Sequence, residues 1–136
     1  MASPEETRAL VARYYDAFNA RDISGMLDCL SEDVAHDINQ GGREIGQEAF
    51  KQFLIGMNRR YRERLDAIVI MTNESGTRAA AEFVVHGEYL ETDEGLPPAR
   101  GQGYTIPAGT FFEVDDGLIS RVTTHYNLND WIAQVR

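Results

Sequence analysis

The sequence predicts an α+β domain: N-terminal helices packed on one face of a strongly curved, mixed but mostly antiparallel sheet, with a pocket enclosed between the layers. Two patterns carry that expectation. Apolar residues recur at helical spacing up to Met57, and strand-like runs separated by turn residues fill the chain from Leu65 onward. No repeat, low-complexity tract or linker interrupts the 136 residues, so one domain over residues 1–136 is expected, long enough to bury its own core.

The elements follow in order. Ser3-Pro4-Glu5-Glu6 reads as a capping box with proline at the first helical position, and Leu10, Val11, Tyr14, Tyr15 and Phe18 share one face of the helix behind it. Asn19-Ala20-Arg21-Asp22 breaks that helix, and Asp22 caps a short second one through Met26, Leu27 and Leu30, ended by Ser31-Glu32-Asp33. Val34 to Gln40 reads as a strand closed by Gly41-Gly42. Gly46 then precedes a third helix with Phe50, Phe53, Leu54 and Met57 on one face. Ile68 to Met71 and Ala79 to Leu90 form a hairpin about Asn73-Glu74-Ser75-Gly76. Glu91 to Arg100 holds Gly95, Pro97 and Pro98 and is an acidic surface loop. Gly101 to Val114 and Leu118 to Asn127 make a second hairpin around Asp115-Asp116-Gly117, and Leu128 to Val135 is a last helix carrying Trp131.

Charge and cysteine content exclude several functions. A net charge of -9 disfavours nucleic acid and anionic membranes, both of which reward clustered Lys and Arg. The basic cluster Arg59-Arg60-Tyr61-Arg62-Glu63-Arg64 is read as covering a helix end. Cys29 is the only cysteine, so no intrachain disulfide forms, which fits a reducing cytoplasm. Met1 to Glu6 is polar and no apolar run approaches a signal or membrane segment, so neither secretion nor membrane insertion is expected.

Arg13-Tyr14, Ala17, Asn19-Ala20, Asp22, Gly25 and the acidic pair Glu32-Asp33, in this element order, resemble the ketosteroid isomerases of the nuclear transport factor 2-like superfamily. The stretches His36-Asp37-Ile38-Asn39-Gln40-Gly41-Gly42, Pro107-Ala108-Gly109-Thr110-Phe111-Phe112 and Tyr126-Asn127-Leu128 resemble the ketosteroid isomerase-related, SnoaL-like proteins more closely. The resemblance implies a cone-shaped fold, a homodimer paired through the outer face of the sheet, and a site facing the concave face. That fold hosts isomerases, cyclases, epoxide hydrolases and non-catalytic binding proteins, so it does not by itself fix an activity.

In those isomerases an aspartate on the first strand removes a proton beside a ketone, and a tyrosine and a protonated aspartic acid stabilise the enolate. Tyr14 matches the tyrosine. Asp37 matches the base only with a one-residue deletion. Without it Ile38 takes that position and, by strand alternation, His36 faces inward. Either Asp37 or His36 is therefore the candidate base. Gly109 falls at the second donor and has no side chain to donate, with Glu82, Glu113 and His86 as replacements. The pocket wall is expected from Phe18, Phe53, Tyr89, Tyr104, Phe111, Tyr126 and Asn127. His36, His86 and His125 fall on different strands without metal-ligand spacing, so neither metal nor cofactor is expected. The leading expectation is proton transfer on a small apolar carbonyl compound. A non-catalytic ligand-binding or dimeric interaction module is the alternative, and cyclase or epoxide hydrolase-like water addition the third.

Overall fold

The computed structural model describes residues 2–136. Helix α1 (Pro4–Asn19) starts at the expected capping box: the Ser3 hydroxyl accepts from the Glu6 N–H, and the Glu6 carboxylate accepts from the Ser3 N–H. Thr7 donates to the carbonyl of Gly76 at 2.6 Å, tying this end of α1 to a distant turn. At the other end the N–H of Asp22 reaches the Ala17 carbonyl and that of Arg21 the Phe18 carbonyl, a Schellman closure with Arg21 in the left-handed region at φ 58°. Helix α2 (Ile23–Leu27) is capped by Asp22.

Strand β1 (Leu30–Asp37) begins earlier than its sequence suggests, because α2 stops at Leu27 and Leu30 already pairs with Ile119. Strand β2 (Arg43–Ile45) folds back on it beyond the Gly41-Gly42 turn and leads into α3 (Gln47–Arg60). The long strands are β3 (Tyr61–Thr72), β4 (Arg78–Tyr89), β5 (Gln102–Asp115) and β6 (Leu118–Tyr126), followed by α4 (Leu128–Val135). The basic cluster divides: Arg59 and Arg60 close α3, whereas Tyr61 to Arg64 open β3. A helix-end role therefore holds only for the first two arginines.

The strands order as β2-β1-β6-β5-β4-β3, antiparallel except for the parallel β1–β6 pair. Strict alternation gives the sheet an inner and an outer face. Along β5 the buried residues are Tyr104, Ile106, Thr110, Phe112 and Val114, and their rung partners Val85, Ala81 and Ala79 on β4 are buried too. A bulge in β3 between Asp66 and Val69, with Ala67 at φ 53°, interrupts the ladder beside α1. Asn19 fixes α1 there, its amide donating to the Leu65 carbonyl and its oxygen accepting from the Leu65 N–H. Helix α4 seals the edge of β5 that β6 is too short to cover: the Gln134 amide bonds both the N–H and the carbonyl of Thr105. No helix is long and apolar enough to cross a membrane among the described residues.

Candidate active site

Glu63, Gly87 and Tyr104 stand on one rung across β3, β4 and β5, all on the inner face. Gly87 makes their meeting possible. A Cβ built on it would lie 2.3 Å from Cζ of Tyr104, so only glycine lets the Tyr104 ring lie across the middle strand. The phenol then donates to Glu63 Oε2 at 2.5 Å. Burial raises the Glu63 carboxyl above its usual range, and the bond from Tyr104 offsets part of that rise. The Tyr104 phenol is held far above its ordinary value by burial and by the neighbouring carboxylate.

Around the pair the walls are aromatic and aliphatic. Trp131 packs edge-on to Tyr104, Tyr61 and Tyr89, and Tyr61 stacks on Tyr89 with centroids 5.4 Å apart. Tyr61 donates to Asp93 and Tyr89 to the Pro97 carbonyl, so both phenols anchor the loop over residues 91–100. Between α1, α2, α3 and the start of β3 lies a narrow cavity of about 50 Å³ with Phe18, Ile23, Met26, Phe53, Met57 and Glu63 on its wall. A second hollow, an open groove of about 680 Å³, crosses the strand ends past Arg62, Arg64 and His86. Arg21 and Glu63 border both.

The sequence-derived site residues separate into groups. Phe18 and Phe53 line the cavity. Tyr104 reaches Glu63, and Tyr89 is fully buried behind it. Tyr126 ends β6 on the inner-face rung of Ala108 and is 37% exposed as a residue. Phe111 is a correction: it pairs with Thr123 on the outer face and is 51% exposed, because its neighbour Phe112 takes the inward position. Asn127 is another, since its side chain caps α4 by accepting from the Asp130 N–H.

Alternation also settles the orientations on β1. His36 sits on the rung of Val122 and faces inward, and Asp37 shares the rung of Thr123 on the outer face. Of the two candidate bases, His36 is thus the one on the inner face. Asp37 is held by the Arg43 guanidinium through two bonds of 2.6 and 2.9 Å and by the Thr123 hydroxyl at 2.6 Å, which together keep its carboxyl far below the usual range. It does not reach the cavity. His36 is buried between the rings of Phe50 and Phe53, with Nδ1 unpartnered, and burial lowers its pKa to about 4. Tyr14 lies deep beside Tyr15 and Phe112, where burial pushes its phenol well up, and it does not border the cavity.

Gly109 pairs with Glu82 and His125 on the outer face, so the inward neighbours at that point are Ala108 and Thr110. Thr110 is 2% exposed and its hydroxyl lies 3.4 Å from that of Thr124, which places a donor where the sequence count put none. Glu82, Glu113 and His86 all lie on outward rungs, and Glu113 pairs with Arg121 and Arg78. His36 points in while His86 and His125 point out, and among the described residues no group of three metal-ligating side chains forms. Glu63 was hidden by its setting among four arginines. The signal that finds it is Gly87 inside a long strand, near its end, which marks a close approach from the neighbouring strands.

Comparison with known proteins places this geometry. A Xanthomonas campestris protein provisionally described as a polyketide cyclase is 56% identical, with 99% of this chain and 100% of that one aligned at a TM-score of 0.96. A Pseudomonas putida protein with the same provisional description is 58% identical over 96% of this chain and 98% of that one, at 0.94. An epoxide hydrolase from M. tuberculosis, 17% identical over 96% of this chain and 85% of that one at 0.76, shares the fold. No curated protein matches. The SnoaL-like domain matches over residues 11–122, from the buried face of α1 to the middle of β6, and the chain therefore belongs to the SnoaL-like family.

Proposed function

We propose that the protein is an enzyme that moves a proton on a small, mainly apolar carbonyl compound, with Glu63 as the acid and base and Tyr104 as the hydrogen-bond donor beside it. The observation that carries this reading is a half-buried carboxyl, raised in pKa and bonded to a phenol, on the wall of an apolar cavity. A carboxyl whose pKa is raised is a stronger base than an ordinary carboxylate and can return the proton it takes. The Tyr104 phenol stays protonated, and once Glu63 has taken the substrate's proton its single O–H can turn from the carboxyl to the oxygen that gains charge as the substrate enolises. Isomerisation and intramolecular ring closure both begin with that proton removal, so the reading covers both.

Glu63→Gln retains an acceptor for Tyr104 and removes the base. We expect it to slow solvent deuterium exchange into a small cyclic ketone such as cyclopentanone, followed by NMR, by about 10²- to 10⁴-fold. Exchange as fast as in the wild type, or no exchange above background in either, overturns the reading and leaves a non-catalytic ligand-binding module. We also propose a homodimer paired through the outer face of the sheet, where Phe111, Val69 and Met71 are about half exposed and outward on their strands. Light scattering that gives a monomer at micromolar concentration refutes it.

A further inference from the structure

We infer that the ligand of this cavity carries a carboxylate, held at the mouth by Arg21. The inference rests on reading the cavity as a ligand site, and it names which class of carbonyl compound enters. Arg21 occupies the residue after the cap of α1, in the left-handed region at φ 58°, where the Schellman closure favours glycine. A long β-carbon-bearing side chain there is a local backbone cost, and such outliers point to a use of the side chain. The use is visible in its position. With Glu63, Arg21 is one of the residues bordering both the cavity and the outer groove, so its side chain stands where a ligand passes from one to the other.

The charges nearby agree. Arg59, Arg60 and Arg64 each have a carboxylate partner, in Glu91, Asp93 and Asp66, whereas Arg21 and Arg62 have no carboxylate at ion-pair distance among the described residues. Three arginines, Arg21, Arg62 and Arg64, line the groove against two carboxylates, Glu63 and Glu88, so on a chain of net charge -9 its mouth keeps a local cationic excess, which attracts an anion and orients its charged end outward. The cavity behind is apolar apart from Glu63, Asn58 and the Tyr61 phenol, so it accepts the uncharged body of the same molecule. An anion kept at Arg21 is held by a planar fork suited to carboxylate and leaves the carbon beside the carbonyl free to approach Glu63.

Pentanoate and pentanamide differ in charge and scarcely in shape, and they serve as probes at neutral pH. Calorimetry measures their affinities, and fluorescence of Trp131, the single tryptophan, packed on Tyr61 and Tyr104, reports whether binding is at this site. The wild type is expected to prefer pentanoate by about tenfold, the scale of one charge-assisted bond pair. Arg21→Gly, which suits the left-handed backbone and keeps the fold, is expected to bring the two within about twofold by reducing pentanoate affinity alone. Equal affinities in the wild type, a preference unchanged in Arg21→Gly, or no binding of either probe each overturn the inference. Glu63→Gln keeps the preference for pentanoate, so a failure of the proton-transfer reading leaves this result distinguishable from a failure at Arg21.

Discussion

At one end of the inner face, beside the β3–β4 turn, Tyr14, Tyr15 and Phe112 meet edge to face with centroids 5.1 to 6.0 Å apart. At the other end, beside the loop over residues 91–100, Tyr61, Tyr89, Tyr104 and Trp131 meet at 4.9 to 5.9 Å. The rings are alike, but their polar atoms are not treated alike. The Tyr15 hydroxyl approaches Thr110 without completing a hydrogen bond, and His36 Nδ1, on the sealed flank under α3, has no partner. The phenols of Tyr61, Tyr89 and Tyr104 each donate to a carboxylate or carbonyl. Burial alone holds a group neutral and inert. Burial beside a partner at a cavity wall gives a group whose proton can move.

The sealed flank should show its character in stability. His36 has a folded pKa of about 4, below the ordinary imidazole value, so the unfolded chain binds the proton more readily. Its contribution is complete above the unfolded pKa and is lost as pH falls from there to the folded value, a loss of roughly 3 kcal/mol. The carboxyl of Glu63, raised in the fold, works in the opposite sense over an overlapping range. Urea unfolding at neutral pH and near pH 4.5 should therefore be compared between the wild type and His36→Leu. The variant is expected to lose less stability on acidification, and parallel losses would show that His36 does not stay neutral in the fold.

How far this contrast can be read from sequence differs between its ends. The helical stripe of Leu10, Val11, Tyr14 and Tyr15, the Asn73-Glu74-Ser75-Gly76 turn and the proline-bearing loop are local signals, and each marks an element that the structure contains. β2 has only three residues and no apolar pattern, so local signals do not reveal it. The Glu63–Tyr104 pair depends on register across three strands, and nothing within either residue's neighbourhood records its partner 41 positions away. Tyr14 and Asp37 stand out only through resemblance to the isomerases. The alternation of β1 then turned Asp37 to Arg43 and left the open end to residues that the resemblance does not name.

Gly87→Ala sharpens the open end. Its Cβ would press on the Tyr104 ring at 2.3 to 2.5 Å, so the phenol must leave Glu63. We expect a stability loss of about 1–2 kcal/mol and a turnover loss of about tenfold. The bond from Tyr104 lowers the Glu63 pKa, so removing it lets that pKa rise further and moves the acid limb of the pH–rate profile to higher pH. Tyr104→Phe, which introduces no clash, should give the same shift in the profile with less destabilisation. An acid limb that stays in place in both variants would separate Glu63 from the rate.

The smallest expected effect is at Tyr14, and it bears most directly on the difference between the two ends. Resemblance to the isomerases makes its phenol an oxyanion donor, whereas the structure surrounds it with Tyr15 and Phe112, away from the cavity wall. Burial pushes its pKa well up, with Tyr15 and Cys29 adding to the rise, so the group stays neutral, and no carboxyl stands beside it as Glu63 stands beside Tyr104. Tyr14→Phe preserves both ring contacts and removes one hydroxyl. Stability should therefore change by less than about 1 kcal/mol, and deuterium exchange into the probe ketone should stay within about twofold of the wild type. Parallel kinetics on Tyr14→Phe and Glu63→Gln decide the matter. If losing the Tyr14 hydroxyl slows exchange as much as losing the Glu63 carboxylate, the ligand reaches the closed end, and the chemistry belongs to the site that the isomerase resemblance names.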